Sequence, residues 1–184
     1  IKMGALIREE VTVGPYSKVG GEISKTVIQG FSNKAHDGFL GNSVIGEWCN
    51  LGAGTNNSNL KLNYSTIKMW DFLGRKFKGT GLQFCGLIMG DHAKCGIATN
   101  FNTGTTVGMA ANIFGSGIQR NLIPSFSWGG TQGFITHRID KMLETTDLVM
   151  RRRNKYLSDH QKGVLKSIFN QTQYERTWEL RPDN

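Results

Sequence analysis

The sequence predicts an all-β domain wound as a parallel β-helix, and three observations predict it. Apolar residues recur six positions apart in separate runs, as at Phe39, Ile45 and Leu51. That period fits neither a helix (about 3.6) nor a flat strand (about 2), but it fits a coil whose sides each turn one side chain inward. Glycine follows the apolar position directly at Gly46 and Gly52, and the same pairing recurs in the other runs. The chain of 184 residues carries 24 glycines but only 3 prolines, a composition of tight turns and close backbone contacts rather than of a proline-rich linker.

Taken in order, Ile1, Ile7, Val13 and Val19 form the first run, with Gly14 and Gly20 after two of them. The register then slips by two, implying a bulge or short loop near Glu22–Lys25. Val27, Asn33, Phe39, Ile45 and Leu51 form the second run, with Asn33 an imperfect member. Met89, Cys95, Phe101, Val107 and Ile113 form the third, with Gly90, Gly96 and Gly108. Between the second and third runs the period stops. Residues 56–78 hold Lys61, Lys68, Arg75, Lys76 and Lys78 against the single acid Asp71, interleaved with Trp70, Phe72 and Phe77. A loop can leave such a coil at a corner without disturbing the stack. A hairpin resting its aromatics on the coil and an arm over an anionic ligand both account for this segment.

After Ile113 the six-residue period ends, and a cap or crossover is expected. Ile139, Met142, Leu143, Thr146, Val149 and Met150 then make a stripe at helical spacing. Ser158 and Gln161 suit a capping box for a second helix, whose stripe is Leu157, Gln161, Val164, Leu165, Ile168 and Phe169. Arg151-Arg152-Arg153 joins the two helices, as a solvated turn or a ligand contact. Gln171–Asn184 is expected to be loosely ordered. The organisation is thus a β-helix over residues 1–120, with the loop at 56–78 inserted, and a C-terminal cap and helical tail over 121–184. The first residue already lies inside a repeat, so the chain is expected to be part of something longer.

The formal net charge of +8 is spread over both halves. It favours an anionic partner such as a nucleotide, a phosphate or coenzyme A. No zinc-finger, helix-turn-helix or RNA-binding aromatic pattern supports nucleic acid. Cys49, Cys85 and Cys95 are an odd set without a CxxC, which argues against a disulfide framework and for a reducing, cytoplasmic compartment. No apolar run is long enough to span a membrane, and no two histidines sit at metal-ligand spacing.

The chemistry is expected at His36 and at the glycines of residues 52–54, about one coil apart. A neutral imidazole takes a proton from an amine or hydroxyl nucleophile. Glycines let a ligand approach backbone N–H groups that stabilise an oxyanion. That is equipment for acyl transfer from a thioester. His92 is the rival base, while His137 and His160 lie in the tail.

His36-Asp37-Gly38-Phe39-Leu40-Gly41, then Ile45-Gly46, then Asn50-Leu51-Gly52-Ala53-Gly54-Thr55 and Asn59 resemble one family. It is the acetyltransferase half of bifunctional N-acetylglucosamine-1-phosphate uridyltransferase/glucosamine-1-phosphate acetyltransferases. The match is specific over residues 22–59 and extends through the third run. The resemblance implies a left-handed β-helix and a homotrimer with active sites at subunit boundaries. It also implies acetyl-CoA as donor and a sugar phosphate or nucleotide sugar as acceptor. The family's catalytic base falls on His36. Its sugar contacts fall on Asn50, on Ser24 or Lys25 for the phosphate, with Lys25 the better candidate chemically, and on Phe39, where the family's tyrosine loses its hydroxyl. That loss implies a changed acceptor preference. Acetyl-CoA contacts fall on Ala53 and Asn59, with Lys76 and Lys78 of the basic loop assigned to the CoA phosphates. Ala35 replaces a family glycine, and the segment after Thr55 is longer. The family also carries an N-terminal nucleotidyltransferase domain, which is expected to be missing from this chain. The alternative is a β-helix that has lost catalysis and serves as a trimerisation module.

Overall fold

A computed structural model describes residues 1–180 of the chain. The fold is a left-handed parallel β-helix with a hairpin projecting from it and two helices folded back on one corner. The first coil is β1 (Leu6–Ile7), β2 (Val11–Val13) and β3 (Lys18–Val19). The second is β4 (Glu22–Ser24), β5 (Thr26–Ile28) and β6 (Asn33–Lys34), and the third β7 (Phe39–Gly41), β8 (Val44–Ile45) and β9 (Asn50–Leu51). The fourth opens on β10 (Asn56–Asn57), departs into the hairpin β11 (Lys68–Asp71) and β12 (Lys76–Gly79), and resumes at β13 (Ile88–Met89) and β14 (Lys94–Cys95). Coil five is β15 (Asn100–Phe101), β16 (Thr106–Val107) and β17 (Asn112–Ile113), and the sixth contributes β18 (Leu122–Ile123) and β19 (Ser127–Gly130). β20 (Gly133–Thr136) turns back antiparallel on β19, followed by α1 (Ile139–Arg151) and α2 (Asp159–Gln171).

The strands stack into three faces. β2, β5, β8, β13, β16 and β18 form the second face, and β3, β6, β9, β14, β17 and β19 the third, all in parallel register. The first face is broken between β7 and β10. There the Asn57 side chain bridges the seam, accepting from Gly41 N (2.8 Å) and donating to Gly41 O (3.0 Å). The chain returning from the hairpin passes through this seam at Gly86, where a Cβ would collide with the Gly41 carbonyl oxygen.

The inward residues form one continuous core, including Val19, Ile23, Ile28, Leu40, Ile45, Leu51, Met89, Cys95, Phe101, Val107, Ile113 and Ile123. The third run therefore points inward along its whole length. The second run is offset by one over its first members. Ile28, Lys34 and Leu40 are each 1% exposed, whereas Val27 is 42% exposed and Asn33 and Phe39 are half-buried. Two short corners cause the offset, since Val19 and Ile23 are four residues apart and Ile23 and Ile28 five. A strict six-residue count cannot register them, and moving a strand by one residue exchanges its two faces. Ile1 is 83% exposed and outside the core.

The C-terminal segments also differ from expectation in places. The coil does not end at Ile113, because an irregular excursion over 114–121 precedes a further turn whose Ile123 is fully buried. α1 buries the expected stripe, and the Ser158–Gln161 capping box is present. Val164 of α2 is 44% exposed rather than packed. Residues 171–180 are ordered as two 3-10 turns, Gln173–Glu175 and Thr177–Leu180. The fully buried Arg176 holds them, donating to Glu179 (2.6 Å) with its guanidinium 4.2 Å from the Phe169 ring. The last part of the segment expected to be loose, 181–184, lies outside the described residues.

The register is testable by a pair of neighbours. Ile28→Ala should cost about 2–5 kcal/mol, as for deletion of a core side chain, and Val27→Ala under about 1 kcal/mol. Urea unfolding that ranks them the other way would show the six-residue count, not the observed register, to be correct.

Candidate functional site

His36 sits on the corner Ala35–Gly38, where the chain turns from the third face to the first. Gly38 turns it with φ +105°, and a Cβ there would collide with the Thr55 carbonyl oxygen of the next coil. Glycine is therefore required here both by conformation and by space. Pairing of Asn33 with Asn50 puts the next coil 17 residues on, so His36 lies against Ala53 and Asp37 against Gly54. Asp37 Oδ1 accepts from Gly54 N at 3.3 Å. The carboxylate is thus spent on the neighbouring coil and does not orient the imidazole, which is exposed.

His36, Asn50 and Ala53 line a single cavity of about 520 Å³. Its walls also hold Lys2, Lys18, Arg152 and Arg153, and no Asp or Glu. The two arginines arrive from the far end of the chain. α1 packs its apolar stripe against the corner that carries Trp48 and Phe126, and its C-terminus then delivers the basic triplet beside His36. Arg153 donates to Asn33 Oδ1 (3.3 Å), whereas Arg151 is held by Asp147 (2.6 Å) and does not line the cavity. Four cations without a carboxylate make an anion-binding wall in a partly enclosed space, where charges are less screened than on open surface. Sequence reading singled out the arginine triplet without its partner and missed Lys2 and Lys18. Nothing in the spacing marks those lysines as neighbours of His36.

A single chain does not bring the other expected site residues to this cavity. Lys25 turns the corner between the first and second faces, with φ +47°, 3.9 Å from Glu9. Phe39 lies outside the first face against Gly41, close to Asn59, whose amide donates to Asn42 Oδ1 at 2.8 Å. Lys76 and Lys78 are exposed on β12. The hairpin that carries them leaves the coil after Asn57 and returns by Ile88, a longer excursion than residues 56–78. Its tip reaches the tail, where the Arg75 guanidinium lies 3.8 Å from the Tyr174 ring centroid.

His92 has a different setting. Tyr16, Phe31, Trp48 and His92 stack one above another along the corner between the second and third faces, at centroid distances of 4.9, 4.2 and 6.4 Å. Burial, with Lys94 adding to it, lowers the His92 pKa to about 4, and its Nδ1 is buried without a partner. So weakly basic a ring is a packing element rather than a good proton acceptor. His137 is likewise buried, its Nδ1 paired with Ala110 O at 3.0 Å, and burial lowers its pKa. The three cysteines are free and buried, and burial pushes the Cys49 thiol up to about 12.

Comparison with known proteins supports the resemblance read from the motifs. The chain is 30% identical over 108 residues to the bifunctional protein GlmU of Methanocaldococcus jannaschii, covering 59% of this chain and 25% of that protein. It is 26% identical over 158 residues to GlmU of Methanococcus aeolicus, covering 84% and 33%. It is 31% identical over 100 residues to the bifunctional sugar-1-phosphate nucleotidylyltransferase/acetyltransferase of Sulfurisphaera tokodaii, covering 53% and 24%. The chain thus spans a quarter to a third of the length of these relatives. No family model matches it. Among solved structures it is similar to AntD, an N-acyltransferase from Bacillus cereus crystallised with dTDP and 3-hydroxybutyryl-CoA, with a TM-score of 0.56 at 15% identity, covering 83% of this chain and 87% of AntD. At that identity the likeness concerns the fold.

The setting of His92 makes a pH prediction. Its folded pKa of about 4 lies below the ordinary 6.5. Below pH 6.5 the unfolded chain takes up a proton that the folded chain refuses, so stability present above that pH is lost as pH falls toward 4. Between pH 7 and 4.5 the wild type should lose more stability than His92→Phe by on the order of 1–3 kcal/mol. Equal pH slopes for the two proteins would place His92 in water.

Proposed function

We propose that this chain is an acyltransferase of the hexapeptide-repeat class. It moves an acetyl group from acetyl-CoA to the amine of an amino-sugar phosphate or nucleotide sugar. It does so as the C-terminal part of a bifunctional sugar nucleotidyltransferase/acetyltransferase. The observation that carries this reading is the cavity where His36, Asn50 and Ala53 meet four cations and no carboxylate. The similarity to GlmU-type proteins supports the reaction class, and the acyl-CoA and dTDP bound by AntD are compatible ligands for the same fold.

In this reading the cations hold the phosphate of the acceptor and Asn50 contacts its sugar. The acceptor amine attacks the thioester carbonyl, forming the C–N bond, while His36 accepts the proton the amine loses. The C–S bond then breaks, and the proton on His36 passes to the departing sulfur. Orientation of the two substrates and one positioned proton acceptor are sufficient for this chemistry. Ala53, Asn59, Lys76 and Lys78 hold acetyl-CoA, and Lys25 and Phe39 border the acceptor. Because a single chain leaves most of these apart, the complete site needs neighbouring copies, and the active form is a homotrimer.

The first test is an acetyl-CoA assay with amino-sugar phosphates and nucleotide amino sugars. His36→Ala should lower transfer by about 10²–10⁴-fold with acetyl-CoA binding unchanged. Arg152→Ala with Arg153→Ala should instead raise the acceptor KM, more at low salt than at high salt. Failure of the wild type to bind acetyl-CoA would make the domain a scaffold, and activity retained by His36→Ala would remove His36 as the base. The second test is assembly. Sedimentation equilibrium should give the trimer mass at micromolar concentration, and a monomer that is fully active would refute the shared site.

A further inference from the structure

The apolar columns in the core of the β-helix are interrupted by a charged residue. Lys34 occupies the inward position of β6, stacked between Val19 of the coil before and Leu51 of the coil after. It is 1% exposed. A buried ammonium is costly unless its donors are met. Here all three are, by Gly20 O (3.3 Å), His36 O (2.7 Å) and Asp37 O (2.8 Å). No carboxylate bonds to it, and its two shortest bonds go to the backbone of the corner that carries His36, the third to Gly20 of the coil before.

The corners stacked on this one explain why a lysine is there. In residues 52–55 the turn is closed by Thr55, whose hydroxyl donates to Gly52 O at 2.7 Å. In residues 96–99 Thr99 does the same to Gly96 O at 2.9 Å. The equivalent of those threonines in the His36 corner is Gly38. No side chain is possible there, because φ is +105° and a Cβ would strike Thr55 O. The corner bearing His36 therefore lacks the local clamp of its neighbours. Lys34 supplies a clamp from inside the coil, on the carbonyls of His36 and Asp37.

We propose that Lys34 is a positioning residue, an internal clamp that holds the His36 turn in place of the missing hydroxyl. The clamp is a statement about the turn, and its effect on catalysis rests on the reading of His36 as the base. An apolar residue fills the same inward position in the coils on either side, so methionine fits there sterically, and replacing a buried charge by a packed apolar group is often neutral or stabilising. Lysine at this position is then kept for what it holds rather than for stability.

The test is Lys34→Met in the full chain, with three readouts. The melting temperature should be unchanged or raised. Amide hydrogen exchange should quicken at residues 35–38, while residues 52–55, closed by their own threonine, stay protected. The kcat for acyl transfer should fall by up to about 10²-fold, with the KM for acetyl-CoA unchanged. A large drop in melting temperature would overturn the proposal, making Lys34 a determinant of the fold. Unchanged exchange at 35–38 would also overturn it. His36→Ala, measured in parallel, separates the two readings: if it keeps full activity, His36 is not the base, and the clamp still stands or falls on exchange alone.

Discussion

Everything in this molecule depends on closing a short coil onto itself at three corners, so that strand N–H groups meet carbonyls of neighbouring coils. A chain of L-residues turns these corners by placing one residue at positive φ, a conformation that costs most residues about 1–3 kcal/mol. Along the corner between the second and third faces these are Tyr16, Phe31, Trp48, His92, Ala110 and Phe126, with φ of 57–61°. Bulky residues rarely accept that conformation. Here the strain is offset by stacking of rings from coil to coil and by burial of the ladder under the helices. The aromatic corner thus both closes the coil and provides the surface on which the tail docks.

Docking of the tail has a consequence for the site. The coil alone presents His36, Asn50 and Ala53 on one corner with Lys2 and Lys18 nearby. α1 is anchored on the aromatic ladder through Met142 and Met150, and Arg152 follows at its C-cap. Packing energy from apolar contacts therefore fixes the position of two cations that have no counter-ion in the cavity. Loss of the ladder would loosen the tail and remove positive charge from the site together.

The His36 corner shows the same coupling on a smaller scale. Gly38 is imposed by the close approach of Thr55, and that in turn deprives the corner of a threonine clamp. Lys34 and Asp37 replace it, one from the interior and one toward Gly54 of the next coil. The exposed imidazole stands on a turn tied on both sides, although no hydrogen bond among the described residues orients its ring.

How much of this was legible beforehand follows from the range of each interaction. Period and glycine punctuation are local, so the β-helix, its third run, both helices and the capping box of the second could be read directly from residue types. The placement of His36 beside residues 51–55 followed from coil length alone. The offset of Ile28, Lys34 and Leu40 could not, because it arises from corners one or two residues short, which a fixed period averages over. The ordering of Gln171–Leu180 rests on Arg176 meeting Phe169 and Glu179 in a buried pocket, contacts invisible to composition. Lys2 and Lys18 are separated by more than a hundred residues from Arg152 and Arg153, and only the packing of α1 on the ladder makes them one wall. The sequence by itself determined the coil and which corners stack beside His36, since both follow from a period repeated within a single turn of chain. Tertiary structure alone decided which charges surround that chemistry and what clamps it, since those contacts form only once distant segments are packed together.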